Sequence, residues 1–179
     1  SKLIEEKMSE LNMPNSRFDI KVEQKEKRDA FVKFGNKFYE NNSKGIDSVE
    51  FFISTNPGEG VKPLSHVASG GEVSRIMLAI KTVFQNLDPV KTLIFDEIDT
   101  GISGMAAKKV STHLLDLSKS KQVICITHLS QIAFNADNHL HISKHTDGKN
   151  TLVRLQYLNE NERSKVIKSL FHGEQVGIT

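Results

Sequence analysis

Asp96 and Glu97 directly follow a short apolar run, Thr92 to Phe95. Two adjacent carboxylates at the end of a buried strand are costly unless a cation, a water or hydrogen-bond donors meet them. In a parallel sheet that end of the strand opens onto the ligand crevice. Asp96 is therefore placed to hold Mg²⁺, which prefers one or two carboxylates together with phosphate oxygens and water. Glu97 is then left to polarise an attacking water. A strand that merely ends in polar residues explains the pair equally well when it stands alone. His128 strengthens it, because it lies just past the next apolar run, Val123 to Ile126, and should emerge at the same sheet edge. A histidine there can donate to a phosphate oxygen or to the attacking water; the plain alternative is a satisfied loop histidine.

A second group is Ser69-Gly70-Gly71-Glu72, followed at once by apolar residues at helical spacing. Serine with glutamate three residues later is a capping box, which satisfies two free N–H groups at a helix start. Two glycines in a first turn cost stability relative to alanine. They give a ligand close access to backbone N–H groups at a positive helix end, which is an anion site. A capping box does not need them, whereas a phosphate contact does.

Other residues carry less. His139 and His141 share one face of an expected strand, with His145 nearby, but no cysteine or carboxylate stands at zinc-ligand spacing, so they read as exposed strand histidines. No G-x-S-x-G elbow occurs, which argues against a serine hydrolase. No G-x-x-x-x-G-K-[ST] occurs either; the Gly148-Lys149 pair is followed by Asn150. A Mg²⁺ aspartate and a water-polarising glutamate without a phosphate loop need that loop from elsewhere.

The elements that must position these residues follow from periodicity. Leu3, Ile4, Met8 and Leu11 form one stripe of a helix over 1–12, ended by Pro14. Phe18, Ile20 and Val22 alternate with polar residues, predicting a half-exposed strand over Arg17–Gln24. Residues 25–47 are charged and rich in Asn and Gly, with a short element at Ala30–Phe34. A strand at Ser48–Ser54 and a breaker-rich loop (Asn56, Pro57, Gly58, Gly60, Pro63) follow. Val73, Ile76, Met77, Ile80, Val83, Phe84 and Leu87 mark a helix, and Ala106, Val110, Leu114 and Leu117 another. With the two apolar runs this makes strand, helix, strand: a parallel sheet, apolar on both faces and covered by helices. After His128 come a short helix, strands at His139–Ser143 and Leu152–Gln156, and a last helix at Asn159–Phe171. The expected fold is a single α/β domain.

Hydrophobic residues make up 37% and charged residues 26% of 179, an ordinary globular balance. A net charge of +2 is too mild to imply nucleic-acid binding by itself, and clusters such as Lys25, Lys27 and Arg28 read as solvated faces. No apolar run approaches the roughly 20 residues of a membrane span, so no membrane partner is expected. The lone Cys125 sits in an apolar run and reads as a core thiol in a reducing compartment, with cytoplasm as the default. A start at Ser1, already within a helical pattern, predicts a piece of a longer chain.

Four motifs in order then carry a resemblance. SGGE at 69–72, TLIFDEID at 92–99, TGISG at 100–104 and ITH at 126–128 resemble the signature, Walker B, D-loop and switch-histidine loop of ABC ATPases. STNPGE at 54–59, KPLSHVASGGEVSRIMLAIK at 62–81, LIFDEIDTGISG at 93–104 and QVICITHLSQIA at 122–133 are similar to the RecN-like family of SMC-like DNA double-strand-break repair and recombination ATPases. Nearly the whole chain, from about Asn12 to Gly173, takes part. Single motifs such as SGGE are weakly specific; the set in this order is highly specific. The resemblance implies the C-terminal lobe of an ABC-type ATPase head, a mostly parallel sheet flanked by helices with some antiparallel strands. Residues 1–12 would end a returning coiled-coil helix and 13–179 would form the lobe. It also implies an N-terminal head segment carrying the phosphate loop, a second head in an ATP-sandwiched homodimer, DNA as a partner, and a nucleoid-associated place in the cytoplasm. By motif match Asp96 would bind Mg²⁺ through water, Glu97 would position the hydrolytic water, and His128 would contact the γ-phosphate. Asp99 would couple two sites across the dimer. Ser69, Gly70 and Gly71, with Glu72 completing their motif, would cap the ATP held by the partner head. Met105 stands where the family usually has a polar or small residue, and 25–47 matches poorly. Rival readings are a docking or structural module without turnover, and another ABC-type ATPase such as a transporter subunit, which the wording at 54–59 and 96–104 disfavours.

Overall fold

A computed structural model describes residues 1–172 except Pro57, Ala68, Asp147 and Lys149. The chain divides into two compact units, Ser1–Ser69 and the part from Gly70 onward.

The first unit opens with helix α1 (Lys2–Glu10), which buries Ile4 and Met8 and leaves Leu3 exposed. The helix stops before Pro14. Asn12 takes a left-handed φ of 65°, and the N–H of Met13 reaches back to the carbonyl of Met8 at 3.0 Å. This is a Schellman-type stop in which the flanking Met8 and Met13 are both buried. Strand β1 (Arg17–Gln24) then pairs antiparallel with β4 (Asp47–Ser54) along its whole length, from Arg17↔Ser54 to Gln24↔Asp47. The Glu5 carboxylate accepts the N–H of Phe18 at 2.8 Å and ties α1 to the start of β1. Only that end is covered: Phe18 and Ile53 are buried, while Val22 and Val49 are exposed.

Residues 25–47 hold more structure than one short element. Strands β2 (Val32–Phe34) and β3 (Lys37–Tyr39) form a hairpin around Gly35-Asn36, with Gly35 at φ 61°. A two-residue turn of this kind requires positive φ, and glycine supplies it without steric cost. β5 (Lys62–Pro63) adds a third strand beside β4.

The second unit carries the parallel pair. α2 (Gly70–Val83) leads to β6 (Thr92–Phe95), α3 (Gly104–Ser118) crosses over, and β7 (Gln122–Cys125) pairs parallel with β6 in the register Ile94↔Ile124. α4 (Ser130–Ala133), the antiparallel hairpin β8 (Leu140–Thr146) and β9 (Thr151–Tyr157), and α5 (Glu160–His172) complete it. The core joins Ile76, Leu78 and Ala79 of α2 with Leu93 and Phe95 of β6 and Val110, Leu114 and Leu117 of α3. Buried Lys121 donates to the carbonyls of Asp88 and Val90, both at 2.7 Å, and fixes the approach to β6.

The α/β class stands, but two expectations about the sheet change. Among the described residues parallel pairing is confined to β6–β7, because the other ladders are local hairpins or antiparallel neighbours. The two faces of β6–β7 are not equally covered. Leu93 and Phe95 are buried on one face, while Ile94, Ile124 and Ile126 on the other are 67%, 45% and 52% exposed. Covering both faces is the rule for parallel strands.

Candidate active site

The carboxyl ends of β6 and β7 gather the predicted residues. Asp96 and Glu97 leave β6 in a tight turn in which the Asp96 Oδ1 accepts the N–H of Glu97 at 2.9 Å. Glu97 adopts φ 57°, a left-handed backbone that a non-glycine residue rarely takes. The N–H of Thr100 closes the turn on the Glu97 carbonyl at 3.0 Å. Such strain persists only where the surroundings hold it, and the start of α2 lies close against this turn.

The start of α2 is pressed against this turn. A β-carbon at Gly70 would lie 2.0 Å from the Glu97 Oε2, and one at Gly71 would lie 2.9 Å from the Thr100 Cβ and 3.1 Å from the Glu97 carbonyl oxygen. The two glycines therefore have a reason that neither capping nor anion binding supplied: without a β-carbon the start of α2 lies close against Glu97 and Thr100. Ser69 is half-buried and ends the first unit. Glu72 is half-buried in the first turn of α2.

Two further α2 residues were not singled out from sequence. The Ser74 hydroxyl donates to the Asp96 carbonyl at 2.6 Å. Arg75, only 6% exposed, donates through Nη1 to the carbonyls of Ile98 at 3.2 Å and Thr100 at 2.8 Å. Burial pushes the Arg75 guanidinium below its ordinary value, and the Glu72 carboxylate opposes that. The signal available was an arginine inside an apolar helical stripe. Replacing Arg75 by Ala should cost about 2–4 kcal/mol in urea unfolding, since it strands two loop carbonyls. A loss below about 0.5 kcal/mol would mean water replaces the guanidinium without penalty.

Asp99 is buried, 4% exposed, and engages its own chain. Its Oδ2 accepts the Thr127 hydroxyl at 2.6 Å and the His128 N–H at 2.9 Å, and lies 3.1 Å from the His128 Nδ1. The His128 side chain is otherwise 72% exposed. Beneath it, the Cys125 thiol is pushed up from its ordinary 9.0 to about 12 by burial and then by the charges of Asp99 and Asp96. The contribution of the protonated thiol to stability is complete below about pH 9 and is lost as pH rises toward about 12. Cys125 is accordingly expected to resist iodoacetamide at neutral pH in the folded chain and to react on unfolding, as thiol titration would show.

Asp96 suits Mg²⁺ in its donor chemistry. One oxygen is held by the Glu97 N–H, and the other has no hydrogen-bond partner among the described residues. One carboxylate fits an ion that takes most of its shell from phosphate and water. Among the described residues no three His, Cys, Asp or Glu are grouped as a metal cluster. His139, His141 and His145 lie on or beside β8; burial lowers the His139 value, with Arg163 and His141 adding to it. A cavity of about 450 Å³, lined by Lys108, Phe134 and Phe171 among others, shares no residue with this edge.

No family model matches the chain. It is 42% identical over 173 residues, 97% of its length, to the DNA repair protein RecN of Halalkalibacterium halodurans. It is 47% identical over 133 residues, 74% of its length, to that of Bacillus subtilis. The chain is a RecN-like segment. It spans 29% of the first of these relatives and 23% of the second. The fold agrees with the Smc head domain of Pyrococcus yayanosii, with a TM-score of 0.61 at 23% identity, covering 94% of this chain and 28% of that one. In this RecN-like segment the four motifs fall on the start of α2, the end of β6, the turn after it and the end of β7.

Proposed function

We propose that this chain is the signature-bearing lobe of an ATP-hydrolysing head in a protein of DNA double-strand-break repair and recombination. The observation that carries it is the convergence of Gly70, Asp96, Glu97, Asp99 and His128 at the carboxyl end of the parallel pair. Asp96 would hold Mg²⁺, which neutralises developing phosphate charge when bound. Glu97 positions and polarises the attacking water, and His128 meets the γ-phosphate or that water. Ser69, Gly70 and Gly71 present N–H groups to an ATP held by a second head, so paired heads complete two sites.

The bare face of β6–β7 supports a second part of this reading. Ile94, Ile124 and Ile126 await strands or helices from an N-terminal head segment that carries the phosphate loop. A cytoplasmic, nucleoid-associated place and contact with DNA follow from the repair role. Co-expression of the chain with the N-terminal head segment tests both parts. Turnover is expected from the pair and none from the chain alone, whose sequence lacks the loop. Turnover by the chain alone, or none by a purified stable pair, would overturn the reading and favour a docking module.

A further inference from the structure

Asp99 sits where its backbone cannot move freely: Arg75 holds the carbonyls of Ile98 and Thr100 on either side of it. Its carboxylate points inward, and a single oxygen, Oδ2, gathers three groups of the loop after β7. The Thr127 hydroxyl that donates to it also accepts the N–H of Leu129 at 3.0 Å, so its proton is committed to Asp99. The third group is the His128 Nδ1 at 3.1 Å. A bare lone pair on Nδ1 would face a carboxylate oxygen that is already acceptor-only. The carboxylate therefore favours a proton on Nδ1, which in the neutral ring leaves the other nitrogen without one.

We propose that Asp99 is the positioning residue for His128: its buried Oδ2, 3.1 Å from Nδ1, favours the proton on that nitrogen and so leaves, in the neutral ring, an acceptor Nε2 on the solvent-exposed side. Because Nδ1 faces the buried carboxylate, the opposite side of the imidazole faces solvent, as the exposure of the ring shows. An acceptor Nε2 suits a hydrogen bond from the attacking water better than a hydrogen bond to a phosphate oxygen. The assignment gives Asp99 a task within its own head, separate from any contact across a dimer. Its geometry stands on its own; its consequence for turnover rests on the ATPase reading.

The test uses the full-length protein. With [¹⁵N]histidine labelling, and His128→Ala to assign the signal, the neutral His128 ring should show a protonated Nδ1 and an unprotonated Nε2. The opposite tautomer would overturn the proposal without any variant of Asp99. Kinetically, Asp99→Ala should lower kcat about 10- to 100-fold with KM for ATP little changed. Asp99→Asn should recover most of that loss. The Thr127 hydroxyl and the His128 N–H force the amide oxygen, and not its NH₂, into the position of Oδ2, which keeps the tautomer. In a His128→Ala background neither substitution should lower kcat further. Equal losses in both backgrounds would make Asp99 a fold residue only. If His128→Ala itself leaves turnover intact, the part given to His128 in hydrolysis fails, while the ring nitrogens still decide whether Asp99 sets them.

Discussion

Replacing Glu97 by Gln should lower steady-state ATP turnover about 10²- to 10⁴-fold in the full-length protein, the range general-base removal gives, while leaving thermal stability nearly unchanged. The substitution keeps the side chain's shape. The tight turn is built from the Glu97 main chain, whose N–H meets Asp96 and whose carbonyl meets Thr100, so an amide leaves it intact. What disappears is the negative charge that polarises water. Nucleotide binding should persist or tighten, because the phosphate contacts belong to other groups. Side-by-side ATPase assays and thermal melts decide the matter. Turnover within a few-fold of the parent protein would remove Glu97 from the chemistry, and a large fall in melting temperature would make it a fold residue.

Much of the scaffold was legible because its signals are local. β1 and β6 fall on the residues that alternation and the short apolar run indicate, and the crossover between β6 and β7 follows from two apolar runs around one helical pattern. The hairpin at 32–39 was not read, although Gly35-Asn36 is a hairpin turn signal, because the surrounding charges masked the short alternation. The end of α2 was placed too late. Phe84 and Leu87 continue the helical spacing, yet both are exposed beyond the last helical residue, Val83.

The site was legible in its residue types and much less in their partners. Asp96, Glu97 and His128 announce themselves by lying at strand ends, a property of spacing. Arg75 does not, since its work is done on the carbonyls of Ile98 and Thr100, atoms that every sequence has and none advertises. Asp99 was read only through the family, facing another head, and its ties to Thr127 and His128 needed the fold. The bare face of β6–β7 was hidden for the same reason. Isoleucines at 94, 124 and 126 spell a buried strand whether their cover comes from this chain or from another segment.

The glycines of α2 give the second large effect, and it splits in two. At Gly70 an added methyl would overlap the Glu97 Oε2 at 2.0 Å, the far end of a flexible side chain in solvent. Glu97 can swing away at little energetic cost, so Gly70→Ala should leave the melting temperature almost unchanged. The same swing takes the carboxylate off its water, and a misplacement of about 1 Å can cost on the order of 100-fold in rate. At Gly71 the methyl would meet the Thr100 Cβ at 2.9 Å, the Thr100 carbonyl oxygen at 3.0 Å and the Glu97 carbonyl oxygen at 3.1 Å. Two of these three atoms are main chain and Gly71 is buried, so the overlap can be relieved only by moving α2 off the turn. Gly71→Ala should therefore destabilise the second unit by about 1–3 kcal/mol, the usual range for overpacking. An anion site alone predicts otherwise: both alanines would weaken nucleotide-driven pairing of heads alike and neither would shift the melting temperature. The two variants, each measured for melting temperature and turnover, thus separate glycines that admit a phosphate from glycines that admit Glu97. A Gly71→Ala protein that melts like its parent would show that the close approach at Thr100 relaxes freely.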